Sequence, residues 1–178
     1  MAEEPKENWL NYLALITVIL AVCATLSTFK GAGFSTRSVL SQTQAANQWA
    51  YYQAKSIKGY LYEIQKEGLE LEFKKNKARG VKALAGEYEK KIALYTQKIK
   101  KYDEEKAEIS NTAKSMESIR DEAQKHSQVF GLAVIFLQIA ILLSSIAALM
   151  KKKAIWFIGV ATGTIGIIYF ANGFLLFF

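Results

Sequence analysis

Residues 129–178 read VFGLAVIFLQIAILLSSIAALMKKKAIWFIGVATGTIGIIYFANGFLLFF, and this stretch decides the fold. It holds two runs without a charged residue, 129–150 and 154–178, which are separated only by the three lysines at 151–153. About 20 uncharged apolar residues are enough for a helix to cross the hydrocarbon core of a bilayer. A soluble helix seldom carries such a run, because one of its faces must meet water. The stretch therefore predicts two transmembrane helices in a tight antiparallel arrangement.

A third apolar run without charge lies near the N-terminus, at residues 9–29. The polar tail before it, residues 1–8, carries three Glu and one Lys, whereas a signal peptide carries net positive charge there. We therefore expect a transmembrane helix and not a cleaved signal. The run contains Cys23, the single cysteine of the chain, so no intrachain disulfide can form.

The 99 residues between the run at 9–29 and the run at 129–150, residues 30–128, are rich in charge and contain no Pro. The stretch Gly31-Ala32-Gly33 predicts a hinge directly after the first run. Ser35 or Thr36 then offers a side-chain oxygen as the N-cap of a new helix. Helix-forming residues follow to about Lys75, so this segment is long enough for a helix of many turns.

The second half of this polar segment predicts a return helix. The stretch 76–86, NKARGVKALAG, holds two Gly and predicts a turn, while 87–128 lacks both Gly and Pro. No strong breaker separates 87–128 from the run at 129–150, so we expect one continuous helix there. The sequence thus predicts an all-α membrane protein with three transmembrane helices and a long antiparallel helical hairpin at 30–128.

Apolar residues in the hairpin alternate by four and three, the spacing of a coiled-coil seam. In the second half the seam positions are Tyr88, Ile92, Tyr95, Ile99, Tyr102, Lys106, Ile109, Ala113 and Met116. In the first half a weaker seam is Ala46, Trp49, Gln53, Ile57, Tyr60, Ile64 and Leu71. A two-helix hairpin buries only one stripe on each helix, so a further partner is expected.

The stretch NQWAYYQAKSIK, residues 47–58, places Trp49, Tyr51 and Tyr52 in a water-facing segment. Either Trp49 and Tyr52 form the core of the hairpin seam, or Tyr51 and Tyr52 widen the apolar face for a second copy, or the rings form an aromatic belt at the membrane interface. Trp49, Tyr51 and Tyr52, with Tyr88, Tyr95 and Tyr102 of the return helix, are the candidate interaction residues of the hairpin.

Two features of the apolar runs are candidate contacts inside the membrane. Gly159, Gly163 and Gly166 form a small-residue motif that lets helices approach closely, either within the chain or between subunits. Gln138 lies at mid-membrane, where an unpaired amide is costly. It predicts either an interhelical hydrogen bond or a pore-lining group of an oligomer.

The net charge of +7 includes the compact triplet at 151–153, and short basic loops tend to stay in the cytoplasm. This places the N-terminus and the triplet inside and the hairpin on the extracytoplasmic side. A basic balance near a bilayer favours contact with anionic headgroups. The basic residues are mixed with acids at helical spacing, so nucleic-acid binding is not expected.

Signs of catalysis are absent from the sequence. His126 is the only histidine, so the sequence gives no basis for a histidine metal site or a catalytic dyad, and no phosphate-binding loop or hydrolase motif occurs. The acidic cluster at 103–108 is interleaved with lysines, as on a solvated helix face. We expect no enzyme activity, no cofactor and no metal.

Several segments resemble a bacterial family of small membrane proteins, domain of unknown function 4337. They are TVILAVCATLSTFKGAG (17–33), SVLSQTQAANQWAYYQAKSIK (38–58), QVFGLAVIFLQIAIL (128–142) and KKKAIW (151–156). The resemblance implies a multi-pass protein of the bacterial cytoplasmic membrane, and no substrate or catalytic residue.

Three functions remain open at this point. The first is a self-associating scaffold or spacer in which the chain forms a homo-oligomer through the hairpin and the Gly-rich run. The second is an oligomeric channel lined by Gln138 and the threonines of the runs. The third is an accessory subunit that docks on another membrane protein through Trp49 and the tyrosines.

Overall fold

Three α-helices make up the computed structural model, which describes residues 8–79 and 85–177. They are α1 (Asn8–Ala78), α2 (Ala85–Met150) and α3 (Lys153–Leu175), with 71, 66 and 23 residues. The prediction of an all-α chain is confirmed. Within the described residues, each of the three helices is long and apolar enough to cross a membrane by its length and composition.

The predicted hinge at 31–33 is wrong, because α1 continues through it. Ser35 and Thr36 are not N-caps but lie inside the helix, and the Oγ1 of Thr36 donates to the carbonyl oxygen of Ala32 at 3.0 Å. A Gly in a helix costs about 1 kcal/mol relative to Ala. A Cβ added to Gly31 would lie 3.1 Å from the Cβ of Phe130, so close packing and not a bend requires this Gly.

The apolar run at 9–29 and the helix after it are therefore one element. α2 likewise combines the return helix with the run at 129–150, as the absence of a strong breaker predicted. The chain shows three helices, and not three spans joined to a separate hairpin. Local breaker signals failed here because single glycines are tolerated where neighbouring turns and packing hold the helix.

The turn predicted at 76–86 overlaps the ends of both helices, since residues 76–78 belong to α1 and residues 85–86 to α2. α1 ends at Ala78, and the N–H of Arg79 donates to the carbonyl oxygen of Lys75 at 3.2 Å. Residues 80–84, the middle of the predicted turn, lie outside the described residues. α2 begins at Ala85 and runs antiparallel to α1 in this part of the chain, since Tyr88 contacts Asn76 and Lys98 contacts Tyr62.

The connection between α2 and α3 is as short as the sequence predicted. Lys151 adopts a left-handed conformation with φ 50°, a position after a helix that usually holds Gly. The N–H of Lys151 donates to the carbonyl oxygen of Ala148 at 3.4 Å, and that of Lys152 to Ala147 at 3.2 Å. α3 already begins at Lys153, so the lysine triplet forms nearly the whole turn.

The residues 8–40 and 119–177 form one compact unit, called here the apolar unit. Its core consists of Leu20, Ala24, Ala133, Leu137 and Ala140. Three of these five residues are Ala, and the glycines of α3 pack against the same cluster. Small side chains allow helix backbones to approach closely, which is the usual mode of contact between helices in a bilayer.

The C-terminal end of α3 is capped within the apolar unit. The N–H of Leu176 donates to the backbone oxygen of Asn172 at 2.7 Å, and the Asn172 side chain accepts the N–H of Phe177 at 2.5 Å. The carbonyl oxygen of Gly173 lies 2.7 Å from Nδ1 of His126. A carbonyl only accepts, so Nδ1 must donate. His126, which lies just before the apolar run of α2, thus caps the C-terminal end of α3.

The residues 41–118 form the second compact unit, called here the hairpin unit. Its two helical segments are antiparallel, since Trp49 contacts Glu117 while Tyr62 contacts Lys98. The fully buried hydrophobic residues of this unit are few: Ala45, Ile109 and Ala113 among the described residues. The rest of the interface is half-buried and made largely of aromatic and charged side chains.

Every predicted seam position of the second half is buried or half-buried. The predicted seam of the first half is wrong apart from Trp49, because Ile57, Tyr60, Ile64 and Leu71 are 61%, 58%, 66% and 58% exposed. The face of α1 that contacts α2 instead carries Ser41, Ala45, Trp49, Tyr52, Gly59, Tyr62 and Phe73. A Cβ on Gly59 would lie 3.7 Å from the Cβ of Tyr102, so small residues here make room for the large rings.

Candidate interaction surfaces

Across residues 8–79 and 85–177, no group of three or more His, Cys, Asp or Glu lies close enough together to hold a metal ion. The side chains that the sequence singled out are aromatic residues, glycines and one amide. Such groups form contacts between helices, so the surfaces of the three helices are the candidate sites. Two questions apply to each surface: what it contacts within the chain, and what it leaves exposed.

Trp49 and Tyr52 lie in the contact between α1 and α2. The Nε1 of Trp49 donates to Oε1 of Glu117 at 2.8 Å, and the edge of Tyr52 packs on the Trp49 ring with centroids 5.5 Å apart. Both residues are half-buried, as the seam-core alternative predicted. Tyr51 differs, because 51% of it is exposed and the Nζ of Lys55 lies 5.2 Å from its ring centroid.

The candidate tyrosines of α2 also contact α1. The ring of Tyr95 lies 5.4 Å from that of Tyr62, and Tyr102 stacks on Tyr62 at 5.8 Å. The Tyr88 hydroxyl accepts from Nδ2 of Asn76 at 3.3 Å. Aromatic pairs at such distances stabilise a fold by about 0.5–1.5 kcal/mol beyond area burial. These three tyrosines are therefore occupied within the chain.

Ionic groups complete the same interface. The Nζ of Lys55 lies 2.6 Å from Oε2 of Glu105 and 5.6 Å from the ring centroid of Tyr102. The hydrogen bond to Glu105 raises the pKa of Lys55 above its usual 10.5, and the bond to Tyr51 adds to this. The same bond to Lys55 holds the pKa of Glu105 below its usual 4.5. Both groups are consequently charged over the whole physiological range.

A second apolar face of α1 lies on the side opposite α2. We define the outer stripe as Ile57, Leu61, Ile64 and Leu71, which are 61%, 54%, 66% and 58% exposed. At 100° per residue these four side chains lie within about 80° of the helix circumference. On α2 in the hairpin unit, Leu94 is the only large hydrophobic residue exposed among those described. The apolar surface of this unit is therefore concentrated on one face of α1.

The glycines of α3 pack within the chain. A Cβ on Gly159 would lie 3.3 Å from the Cβ of Leu143, one on Gly163 would lie 3.1 Å from Leu20, and one on Gly166 would lie 2.8 Å from Cγ of Leu137. All three glycines are buried. This packing corresponds to the within-chain alternative, and it leaves no room for another subunit at these positions.

Gln138 is exposed on α2, in the middle of an apolar run. Its neighbours on that side are Ile135, Ile139 and Leu142, which are 53%, 42% and 63% exposed. Among residues 8–79 and 85–177, no hydrogen-bond partner for the Gln138 amide is found. The amide of Gln138 thus forms no interhelical hydrogen bond with the described residues.

Three residues of the outer stripe, Ile57, Ile64 and Leu71, belong to the seam predicted from the sequence, which assigns them to the contact with α2. Ile57, Ile64 and Leu71 recur every seven residues, and Leu61 follows Ile57 by four. The seven-residue spacing is correct, but the predicted contact of these residues with α2 is wrong, because α1 carries two stripes of equal period on opposite sides. The bond between His126 and Gly173 had no local signal, since it joins residues 47 positions apart.

The family model described as Domain of unknown function (DUF4337) matches residues 9–176. No curated protein and no solved structure matches the chain at a significant level. The matched range includes all three helices almost to their ends, so it covers both compact units. The chain therefore belongs to the family Domain of unknown function (DUF4337).

Proposed function

We propose that this chain is a non-enzymatic, membrane-anchored helical scaffold that associates with copies of itself. The apolar parts of α1, α2 and α3 anchor it in the bacterial cytoplasmic membrane, and the hairpin unit lies outside the bilayer as a spacer. The lysine triplet at 151–153 favours the extracytoplasmic side for the hairpin. The observation that carries the proposal is the outer stripe, an unpartnered apolar face on an otherwise charged hairpin.

The size of the outer stripe supports a contact. Its four residues, all more than half exposed, present on the order of 500 Å² of apolar surface, the size of the largest patch on a typical soluble monomer, which is often functional. Burying that area on association would contribute roughly 10 kcal/mol per copy before the costs of ordering and docking. The stripe is thus large enough to drive association once the membrane has concentrated and aligned the copies.

The spacing of the stripe favours another helix of the same kind as its occupant. A seven-residue repeat matches a helix that crosses at about 20°, as in coiled coils. Copies anchored in one bilayer point the same way, so Ile57, Ile64 and Leu71 of one copy meet the same residues of the next. A flat lipid or protein surface would not require this repeat.

Charges at the rim of the stripe oppose this pairing slightly. In a parallel coiled coil, a residue at a g position faces the e position five residues later on the other helix. With Ile64 and Leu71 at d positions, this brings Glu67 of one copy near Glu72 of the other. Exposed like-charge pairs of this kind cost about 0.2–0.5 kcal/mol each. That is far below the apolar contribution, so the stripe and not its rim determines whether the copies associate.

The hairpin unit sets the reach of the proposed spacer. Its segment of α1, residues 41–78, is 38 residues long, which gives about 57 Å at about 1.5 Å per residue. Within the unit the contacts of Trp49 and the tyrosines hold the two segments together. These contacts stiffen the hairpin, and the outer stripe remains available for a neighbour.

The proposal is tested by the mass of the full chain released into mild detergent, measured by native mass spectrometry. Ile64→Glu places a charge on the outer stripe, and Leu94→Glu places the same charge on an exposed Leu of α2 as a matched control. We expect a closed oligomer for the wild type and for Leu94→Glu, and a smaller species for Ile64→Glu. A wild-type monomer, or one chain bound to a foreign subunit, would contradict self-association and favour the accessory-subunit alternative.

Fewer observations support the channel alternative than support the scaffold. Gln138 is the polar group that would line a pore, but its exposed neighbours Ile135, Ile139 and Leu142 are apolar. The hydroxyls of Thr162 and Thr164 donate to backbone oxygens one turn earlier, at 2.9 Å each. Such a surface suits contact between helices more than a water-filled path.

A further inference from the structure

We infer that α2 carries a second self-association surface inside the bilayer, in which the Gln138 amides of two copies bond reciprocally. The surface, called here the membrane stripe, consists of Gly131, Ile135, Gln138, Leu142, Ser145 and Leu149, all exposed. This inference rests on the proposed function, because it requires that the chain is anchored in a membrane and that copies meet there. It adds a contact that is chemically independent of the outer stripe.

The spacing of the membrane stripe is that of a helix-packing seam. Its members follow one another at intervals of four, three, four, three and four residues. Residues 8–79 and 85–177 leave this seam open, since a Cβ on Gly131 would have no atom within 4 Å, and 63% of Leu142 is exposed. Small residues, Gly131 and Ser145, lie seven positions on either side of Gln138, where they let a neighbouring backbone approach.

The amide of Gln138 supplies the reason for a partner. Lipid tails offer neither donor nor acceptor, so a polar group at mid-membrane is satisfied by protein. The hydroxyls of Thr17, Ser145 and Thr162 solve this locally by donating to backbone oxygens one turn earlier. Gln138 has no such bond among the described residues. Asn11, also exposed, lies at the edge of its run, where water and headgroups reach it.

A second copy is the occupant that matches this chemistry. An amide carries both a donor and an acceptor, so two identical amides related by symmetry satisfy each other. A single polar residue in an apolar seam also fixes the register of the two helices, as buried Asn does in coiled coils. The apolar neighbours Ile135 and Leu142 would pack on their own counterparts and exclude water from the bond.

The test is a dilution experiment with the full chain in liposomes, where energy transfer between labelled copies reports association at each lipid-to-protein ratio. Gln138→Leu removes the amide, and the double variant Gln138→Leu/Ile139→Gln restores one amide 100° around the helix. We expect both variants to associate between roughly threefold and tenfold more weakly than the wild type. The shifted amide controls for the mere presence of a polar group in the run.

Two outcomes would overturn the inference. If Gln138→Leu associates as strongly as the wild type, the membrane stripe is not a contact, while self-association through the outer stripe stands. If the shifted amide restores full association, any membrane amide suffices and the stripe has no specific role. Failure of the wild type to associate at all would defeat both this inference and the proposed function, so the two failures are distinguishable.

Discussion

In the apolar unit the helices meet through Gly, Ala and Leu, whereas in the hairpin unit they meet through Trp, Tyr, Lys and Glu. Gly31 of α1 approaches Phe130 of α2 so closely that an added Cβ would lie 3.1 Å from the Cβ of Phe130. In the hairpin unit the closest contacts are polar ones, such as the 2.6 Å ion pair between Lys55 and Glu105. The same two helices, α1 and α2, therefore change their mode of contact along their length.

The difference fits the proposal that the apolar unit lies in lipid and the hairpin unit in water. In lipid, burial of apolar groups does not drive helix association, so close van der Waals packing of small residues must. In water, aromatic rings contribute burial and their polar atoms remain satisfied. The hairpin unit combines a polar inner interface with an apolar outer stripe, which is the reverse of an independent soluble hairpin. This arrangement, with polar contacts inside and apolar side chains outside, is the main reason to expect a partner on the outer side of the hairpin unit.

The largest expected effect is in the apolar unit. Gly166→Ala adds a Cβ 2.8 Å from Cγ of Leu137 and 3.0 Å from its backbone nitrogen, so α3 must shift. We expect a loss of about 1–3 kcal/mol in stability, measured by thermal unfolding in detergent micelles. Gly33→Ala is the control, because open space surrounds its Cβ and helix propensity improves. Equal melting temperatures for the two variants would contradict close packing at Gly166.

The next effect is on the polar interface of the hairpin unit. Trp49→Phe keeps an aromatic ring but removes the 2.8 Å hydrogen bond to Glu117. We expect a loss of about 1 kcal/mol, seen by circular dichroism in denaturant titrations. Tyr51→Phe should change stability by less than about 0.5 kcal/mol, since Tyr51 is half exposed. If Tyr51→Phe were the more damaging change, the inner face would be wrongly assigned.

A smaller effect concerns the rim of the outer stripe. Glu67→Lys turns the repulsion between Glu67 of one copy and Glu72 of the next into attraction in a parallel pair. Association should strengthen about threefold, measured by the concentration at which the oligomer dissociates in detergent. Glu89→Lys on α2 makes the same charge change on another exposed site and should have no such effect. Weaker association of Glu67→Lys would indicate an antiparallel pair.

The smallest effect is the pH dependence of the ion pair between Lys55 and Glu105. Because the folded pKa of Glu105 is below 4.5, the pair stabilises the hairpin above that pH and its contribution is lost as pH falls through the folded pKa. Because the pKa of Lys55 is raised above 10.5, the contribution at the alkaline end is lost only as pH rises through that folded value. Melting curves of the wild type and Glu105→Gln should therefore converge in acid and differ near neutrality. A constant difference at all pH values would contradict this account.

The sequence predicted those features that depend on long, one-sided patterns. The uncharged runs, the lysine turn, the continuous return helix and the seam from Tyr88 to Met116 all match the structure, because many residues contribute to each signal. The hinge at 31–33 failed because Gly31 is required by Phe130, a residue 99 positions away. The first-half seam failed because α1 has apolar residues on two opposite faces, and periodicity alone cannot tell which face meets α2.

The candidate site was harder to predict for the same reason. Trp49 and Tyr52 were recognised as large rings at helical spacing, but whether they face α2 or a second copy depends on side-chain geometry. Gln138 was recognised as costly, and its exposed position depends on how α1 and α3 pack around α2. Local patterns identify which side chains need a partner. Only the packed structure shows which of them already have one.

The most direct test of the scaffold account is disulfide cross-linking in native membranes. Ile64→Cys, in a chain that also carries Cys23→Ser, places one thiol on the outer stripe, and Leu94→Cys in the same background is the control. Thiols can bridge only if their Cα atoms approach within about 7 Å, a distance that a parallel seam provides at position 64. The account predicts a covalent dimer for Ile64→Cys and none for Leu94→Cys. Absence of the dimer at position 64, or equal cross-linking at both positions, would contradict it.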